Sequence, residues 1–153
     1  MTGFLYSLTL QWKLDIRSKS LLVTYYIVPL IFFLLMGGIF TSVMHEMGST
    51  LIQSMIVMSV SMGAFLGLPP SLIETYGSDI KKIYKANGVP IHLGLVTMVL
   101  SAFVHLMITC MVILLLAPIL FKANLPSQFP LFFLALAIYI FVSLSIGSIL
   151  GLT

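Results

Sequence analysis

Four stretches of this 153-residue chain contain no Asp, Glu, Lys or Arg: 20–45, 47–73, 86–121 and 123–153. A helix needs about 20 consecutive apolar residues to cross about 30 Å of hydrocarbon. Each stretch is long enough for one crossing and too short for two joined by a turn. Only 7% of the residues are charged and 60% are hydrophobic. A soluble domain is typically about 25% charged, and much of its surface stays wet. A water-soluble fold of this size could not hide so much apolar surface. In lipid every backbone polar group must be bonded internally, so a span is a helix or a strand of a closed barrel. Barrel strands would be about 10 residues of alternating polarity, and these stretches do not alternate. The chain is therefore expected to be an all-α, polytopic membrane protein with spans at 21–43, 50–72, 91–116 and 131–152.

Lysine and arginine set the orientation. Lys13, Arg17 and Lys19 precede the first span, and Lys81, Lys82 and Lys85 lie between the second and third. The first intervening loop, "HEMGS", has none, and "FKANLPSQFP" has only Lys122. Both termini and the 74–90 loop are thus expected in the cytoplasm, in a multi-pass protein of the cell membrane with the lipid bilayer as its solvent. Tyr25, Tyr26, Tyr76 and Tyr84 fall near the inner boundary, and Phe121, Phe129 and Phe132 near the outer, where aromatic belts form. The net charge of +3 is no nucleic-acid signal, because the basic residues sit at membrane edges and not along one solvated face. The single Cys110 rules out an intrachain disulfide. The first apolar run is too long for the core of a removable signal peptide and no A-x-A site follows it.

The segment "FLYSLTLQWKLDIRSKS" reads as a helix on the membrane surface over 4–19. Leu5, Leu8, Trp12 and Ile16 follow 3–4–4 spacing, and Lys13 and Arg17 lie elsewhere. The stripe is imperfect: Leu10 and Leu14 fall on another side and Asp15 borders it. A simple cytoplasmic extension of the first span is the plainer reading. Gly63-x-x-x-Gly67 and Gly147-x-x-x-Gly151 have the spacing that lets helices approach closely. Pro29, Pro69-Pro70 and Pro118 imply bends, and the Pro pair should disturb the cytoplasmic end of the second span.

Chemistry-bearing motifs are scarce. There is no G-x-x-x-x-G-K-[ST], H-E-x-x-H or C-x-x-C, so neither a P-loop ATPase nor an enzyme is expected, and no cofactor or metal. His45 and Glu46 adjoin at the outer edge, where solvation explains them, and His92 is interfacial. His105 and Cys110 lie inside a span but five residues apart, a poor spacing for one helix face. A packed His105 bonded to a neighbouring helix is the expected reading over a metal or proton site. Proton relays and ion-coupled carriers place Asp, Glu, Lys or Arg at membrane depth, and the spans hold none. If the chain moves a cargo, the energy is expected from a cytoplasmic partner.

The 74–90 stretch "ETYGSDIKKIYKANGVP" concentrates Glu74, Asp79, Lys81, Lys82 and Lys85. Ser78 is a good N-cap, with Asp79 following at the positive end of the helix dipole. Ile80, Ile83 and Tyr84 share one face. Asn87-Gly88 supplies a left-handed stop and Val89-Pro90 blocks continuation. A short helix over 78–87 with an apolar face suits docking. Equally, the stretch serves as a positive-inside loop whose Ile and Tyr dip into the lipid interface.

At these residues the chain resembles the membrane subunit of a bacterial ABC-2-type transporter, the permease family of drug and polysaccharide exporters. "LQWKLDIRSKSLLVTYYIVPLIFFLLMGGIF" is similar to that family's surface helix, basic link and Pro-containing first span. "IETYGSDIKKIYKANGVP" resembles its first cytoplasmic loop, and "LPSQFPLFFLALAIYIFVSLSIGSILG" its fourth span. The resemblance implies that 79–86 form a coupling helix, with Ile80, Lys81, Ile83, Tyr84 and Glu74 at the contact with a separate ATP-binding subunit. It further implies a second copy of the permease, or a paralogue, as partner. The family's domain has six spans. Residues 1–153 match its first four, preceded by the interfacial helix, so a fragment of a longer domain is expected. The alternative class is a small four-span membrane binding module, such as an immunity or sensor-accessory protein, joined to another membrane protein through its glycine faces.

Overall fold

The computed structural model describes residues 2–43, 50–77, 86 and 90–152. Five long helices account for nearly all of them: α1 (Thr2–Arg17), α2 (Lys19–Val43), α3 (Leu51–Gly77), α4 (Ile91–Phe121) and α5 (Phe129–Leu152). The fold is 92% helical, with no strand among the described residues. Helices α2 to α5 are each long and apolar enough to cross a membrane. This is an all-helical membrane protein with four candidate spans.

Local chemistry sets the breaks. Ser18 separates α1 from α2: its backbone is extended (φ −77, ψ 107) and its hydroxyl accepts the Leu21 N–H at 3.4 Å, an N-cap that starts a new helix. At the end of α4, Lys122 adopts a left-handed φ of 51. Its N–H reaches the Pro118 carbonyl at 3.1 Å and the Ala123 N–H reaches Ala117 at 3.4 Å, which satisfies two terminal acceptors.

Two spans run further than expected. The second continues to Gly77 and not 72, and the third to Phe121 and not 116. A proline within a helix lacks its N–H and crowds the carbonyl four residues earlier. Helix α2 carries a π-helical turn at Val23–Ile27, just before Pro29, and α3 carries one at Gly63–Gly67, just before Pro69-Pro70. Both wider turns contain the residues whose carbonyls the prolines would crowd: Tyr25 for Pro29, Phe65 and Leu66 for the pair. The helices are locally widened there, as membrane helices tolerate, and are not ended. Pro118 sits in the last turn of α4.

Helices α3 and α4 are the most enclosed. The first half of α3 packs on α4, and its second half packs on α5. Helix α2 lies against α4 and α3, and α1 crosses α4. Ile52, Val60, Leu72, Leu106, Ile113 and Leu144 are fully buried between them. Leu35, Leu115, Ile119, Leu134 and Ile149 are exposed on the outer faces, the arrangement expected where lipid is the solvent. Tyr25 and Tyr76 depart from the aromatic-belt reading: both are buried among helices.

Candidate functional site

Four of the buried polar side chains, Asp15, Ser101, His105 and Thr109, gather where α1, α2 and α4 meet. Asp15 is only 7% exposed and His105 2%. Burying a carboxylate is costly unless donors surround it, and the neighbouring helices supply them. Gln11 Nε2 donates to Asp15 Oδ1 at 2.8 Å from the preceding turn of α1. Ser101 Oγ donates to Asp15 Oδ2 at 2.5 Å from α4. His105 lies one turn further along α4, with Nε2 at 3.9 Å from the same Oδ2 and Nδ1 at 2.6 Å from the Tyr26 hydroxyl. Three aromatic rings enclose the imidazole. Tyr25 stacks on it with centroids 5.8 Å apart, Tyr26 meets it edge-on at 5.6 Å, and Trp12 lies at 6.4 Å.

The widened turn in α2 contributes directly. In an α-helix the Tyr25 carbonyl would be bonded by the N–H of residue 29, which is proline. Thr109 Oγ1, fully buried on α4, donates to that carbonyl at 2.7 Å. The Tyr25 ring projects from the same turn onto Gly63 and Gly67 of α3. A Cβ at Gly67 would lie 3.0 Å from the ring, and one at Gly63 would strike Leu106. The second glycine pair meets a different surface. A Cβ at Gly147 would run into the Ala64 carbonyl oxygen, and one at Gly151 would lie 2.9 Å from Pro69 Cα. Here the backbones of α5 and α3 themselves approach.

A cavity of about 280 Å³ opens beside Asp15. It is walled by Gln11, Leu14 and Ser18 around the end of α1, by Ser20 and Thr24 of α2, and by Gly67, Ser71, Glu74 and Thr75 of α3. Of the residues expected to form a docking site, Glu74 is exposed at this cavity. Ile80, Lys81, Ile83 and Tyr84 lie outside the described residues, as do His45 and Glu46.

Sequence reasoning singled out His105 as a packed histidine bonded to a neighbouring helix, and the Tyr26 contact has that form. It missed the acidic member. Asp15 stands outside the four charge-free stretches, but the fold seats it on Ser101 and His105, both within the third candidate span. The usable signal was Gln11 and Asp15 at i, i+4 beside an apolar stripe. Among the described residues no three His, Cys, Asp or Glu side chains group together to hold a metal. Compared with family models, curated proteins and solved structures, the chain matches none.

Proposed function

We propose that this chain is the membrane-spanning permease subunit of an ATP-driven ABC transporter of the ABC-2 type, working in export with a separate ATP-binding subunit docked on the 74–90 loop. The observation that carries this reading is the cavity beside Asp15. It joins the end of α1, the start of α2 and the Glu74–Thr75 end of α3, so these ends of α1 and α3 lie side by side. A partner that drives transport from the cytoplasm needs that arrangement, since one docked surface can then push on α1 and α3 together. Helix α1 acts as the interfacial helix: Leu5, Tyr6, Leu10, Leu14 and Ile16 are exposed for lipid, while Gln11 and Asp15 turn to the protein. A second permease copy or a paralogue completes the pathway.

The test is capture of the tagged full chain from its native membrane, with identification of co-purifying subunits. A P-loop ATPase is expected with the unmutated chain. Ile83→Asp puts a charge against an apolar groove at a cost of a few kcal/mol, which weakens association roughly a hundredfold. Lys82→Gln, at a rim, changes it little. Equal recovery with Ile83→Asp and the unmutated chain rules out docking through this face. Absence of any ATP-binding partner favours the four-span binding module instead.

A further inference from the structure

His105 Nε2 is buried and has no hydrogen-bond partner among the described residues. Buried polar atoms are nearly always paired, so an unpaired one needs a cause. Nε2 faces Asp15 Oδ2 at 3.9 Å, beyond hydrogen-bond reach. On the other side of the ring, Nδ1 meets the Tyr26 hydroxyl at 2.6 Å. A lone pair on Nε2 would point at a carboxylate, so the neutral ring carries its proton on Nε2, and Nδ1 accepts from Tyr26. One further proton fits on Nδ1 if the Tyr26 O–H rotates to present a lone pair. The ring is then a cation facing the anion of Asp15, with both its N–H groups aimed at acceptors.

We propose that Asp15 and His105 form a proton-binding site, and that the bound proton locks α1 onto α4. The groups that face the ring are few. Helix α1 contributes Asp15, α2 contributes Tyr25 and Tyr26, and α4 contributes the hydroxyls of Ser101 and Thr109 around it. Helix α3 places Glu74 at the cavity that Asp15 also lines. Lys13 and Arg17 on α1 are exposed, and no Lys or Arg pairs with Asp15 among the described residues. When α1 lifts away, the carboxylate leaves with it, and an imidazolium would keep only neutral partners such as the Tyr26 hydroxyl. The ring has its counter-charge only while α1 is docked, and by linkage the proton then favours docking. The proton site does not depend on the transporter reading.

The test uses the full chain in lipid nanodiscs, with spin labels on cysteines replacing Leu10 and Ile119 in a Cys110→Ser background. Both positions are exposed, one on α1 and one on α4. Distances are measured between about pH 5 and 8, the range in which histidine sensors work. A single docked distance is expected at the acid end and a second, longer population at the alkaline end. Asp15→Asn and His105→Gln should abolish this response. A control pair at Ile31 and Ile119 should keep one distance throughout. A variant that loses the control distance has misfolded, and the unmutated chain and the other variant then decide. A pH-independent distribution in the unmutated chain, or a response that survives in Asp15→Asn or His105→Gln, overturns the proposal.

Discussion

Thr109 closes a bond that Pro29 opens. The Tyr25 carbonyl loses its usual donor to proline and gains the Thr109 hydroxyl at 2.7 Å. Thr109→Val should therefore destabilise the bundle by about 1–2 kcal/mol. In a Pro29→Ala background the cost should be smaller, because residue 29 then brings its own N–H. Reversible unfolding in mixed micelles gives all four corners of the cycle, and equal costs in the two backgrounds would show that Pro29 has no part in it. The glycines separate in the same way. Gly147→Ala sets a methyl against the backbone oxygen of Ala64, which cannot rotate aside, and should cost about 1–3 kcal/mol. Gly63→Ala meets the tip of the Leu106 side chain, which can move, and should cost less. Spacing made both glycine pairs legible as small surfaces. It could not say that one pair lies under a tyrosine ring and the other against a helix backbone, because that depends on which helix each pair meets.

Helix α1 was legible as a helix near 4–19, but the break at Ser18, inside that range, was not: α1 ends at Arg17 and Ser18 caps the next helix. Nor was the side that faces protein legible. The stripe Leu5, Leu8, Trp12 and Ile16 would be the inner face of a helix on a soluble protein. Here Gln11 and Asp15 turn inward, while Leu5 and Ile16 are exposed. With lipid as solvent, apolar side chains lose little by facing outward, whereas a carboxylate needs donors that only protein offers. Ser101→Ala removes one of those donors. It should loosen α1 at a cost of about 1–3 kcal/mol and speed tryptic cleavage at Lys13 and Arg17 in mild detergent. Leu10→Gln, on the exposed side, should leave the cleavage rate near that of the unmutated chain. If the two variants are cleaved alike, the Asp15–Ser101 bond does not hold α1 down.

At the scale of the whole molecule, four charge-free stretches predicted four spans, and α2 to α5 occupy them. The span ends were less legible: the second runs on past Glu74 to Gly77, and the third through Pro118 to Phe121. The distribution of basic residues makes a claim on the whole bundle at once. Lys13, Arg17, Lys19, Lys81, Lys82 and Lys85 fall on one side of a four-span path, and Lys122 alone on the other. Such asymmetry holds short basic loops in the cytoplasm, and placing a Lys or Arg at the bilayer centre costs at least about 2.5–3.5 kcal/mol on insertion scales. The two arrangements are therefore far from equivalent. Cysteine introduced at position 46 or 124 should react with a membrane-impermeant thiol reagent in intact cells, and at position 82 only after the membrane is opened. Cys110 is buried within the bundle and gives a silent background. Labelling at 82 in intact cells, with 46 and 124 protected, would invert the molecule. The end of α1 and the Glu74 end of α3 would then face outward, where no ATP-binding subunit could reach them, so the same measurement tests both the topology and the transport reading built on it.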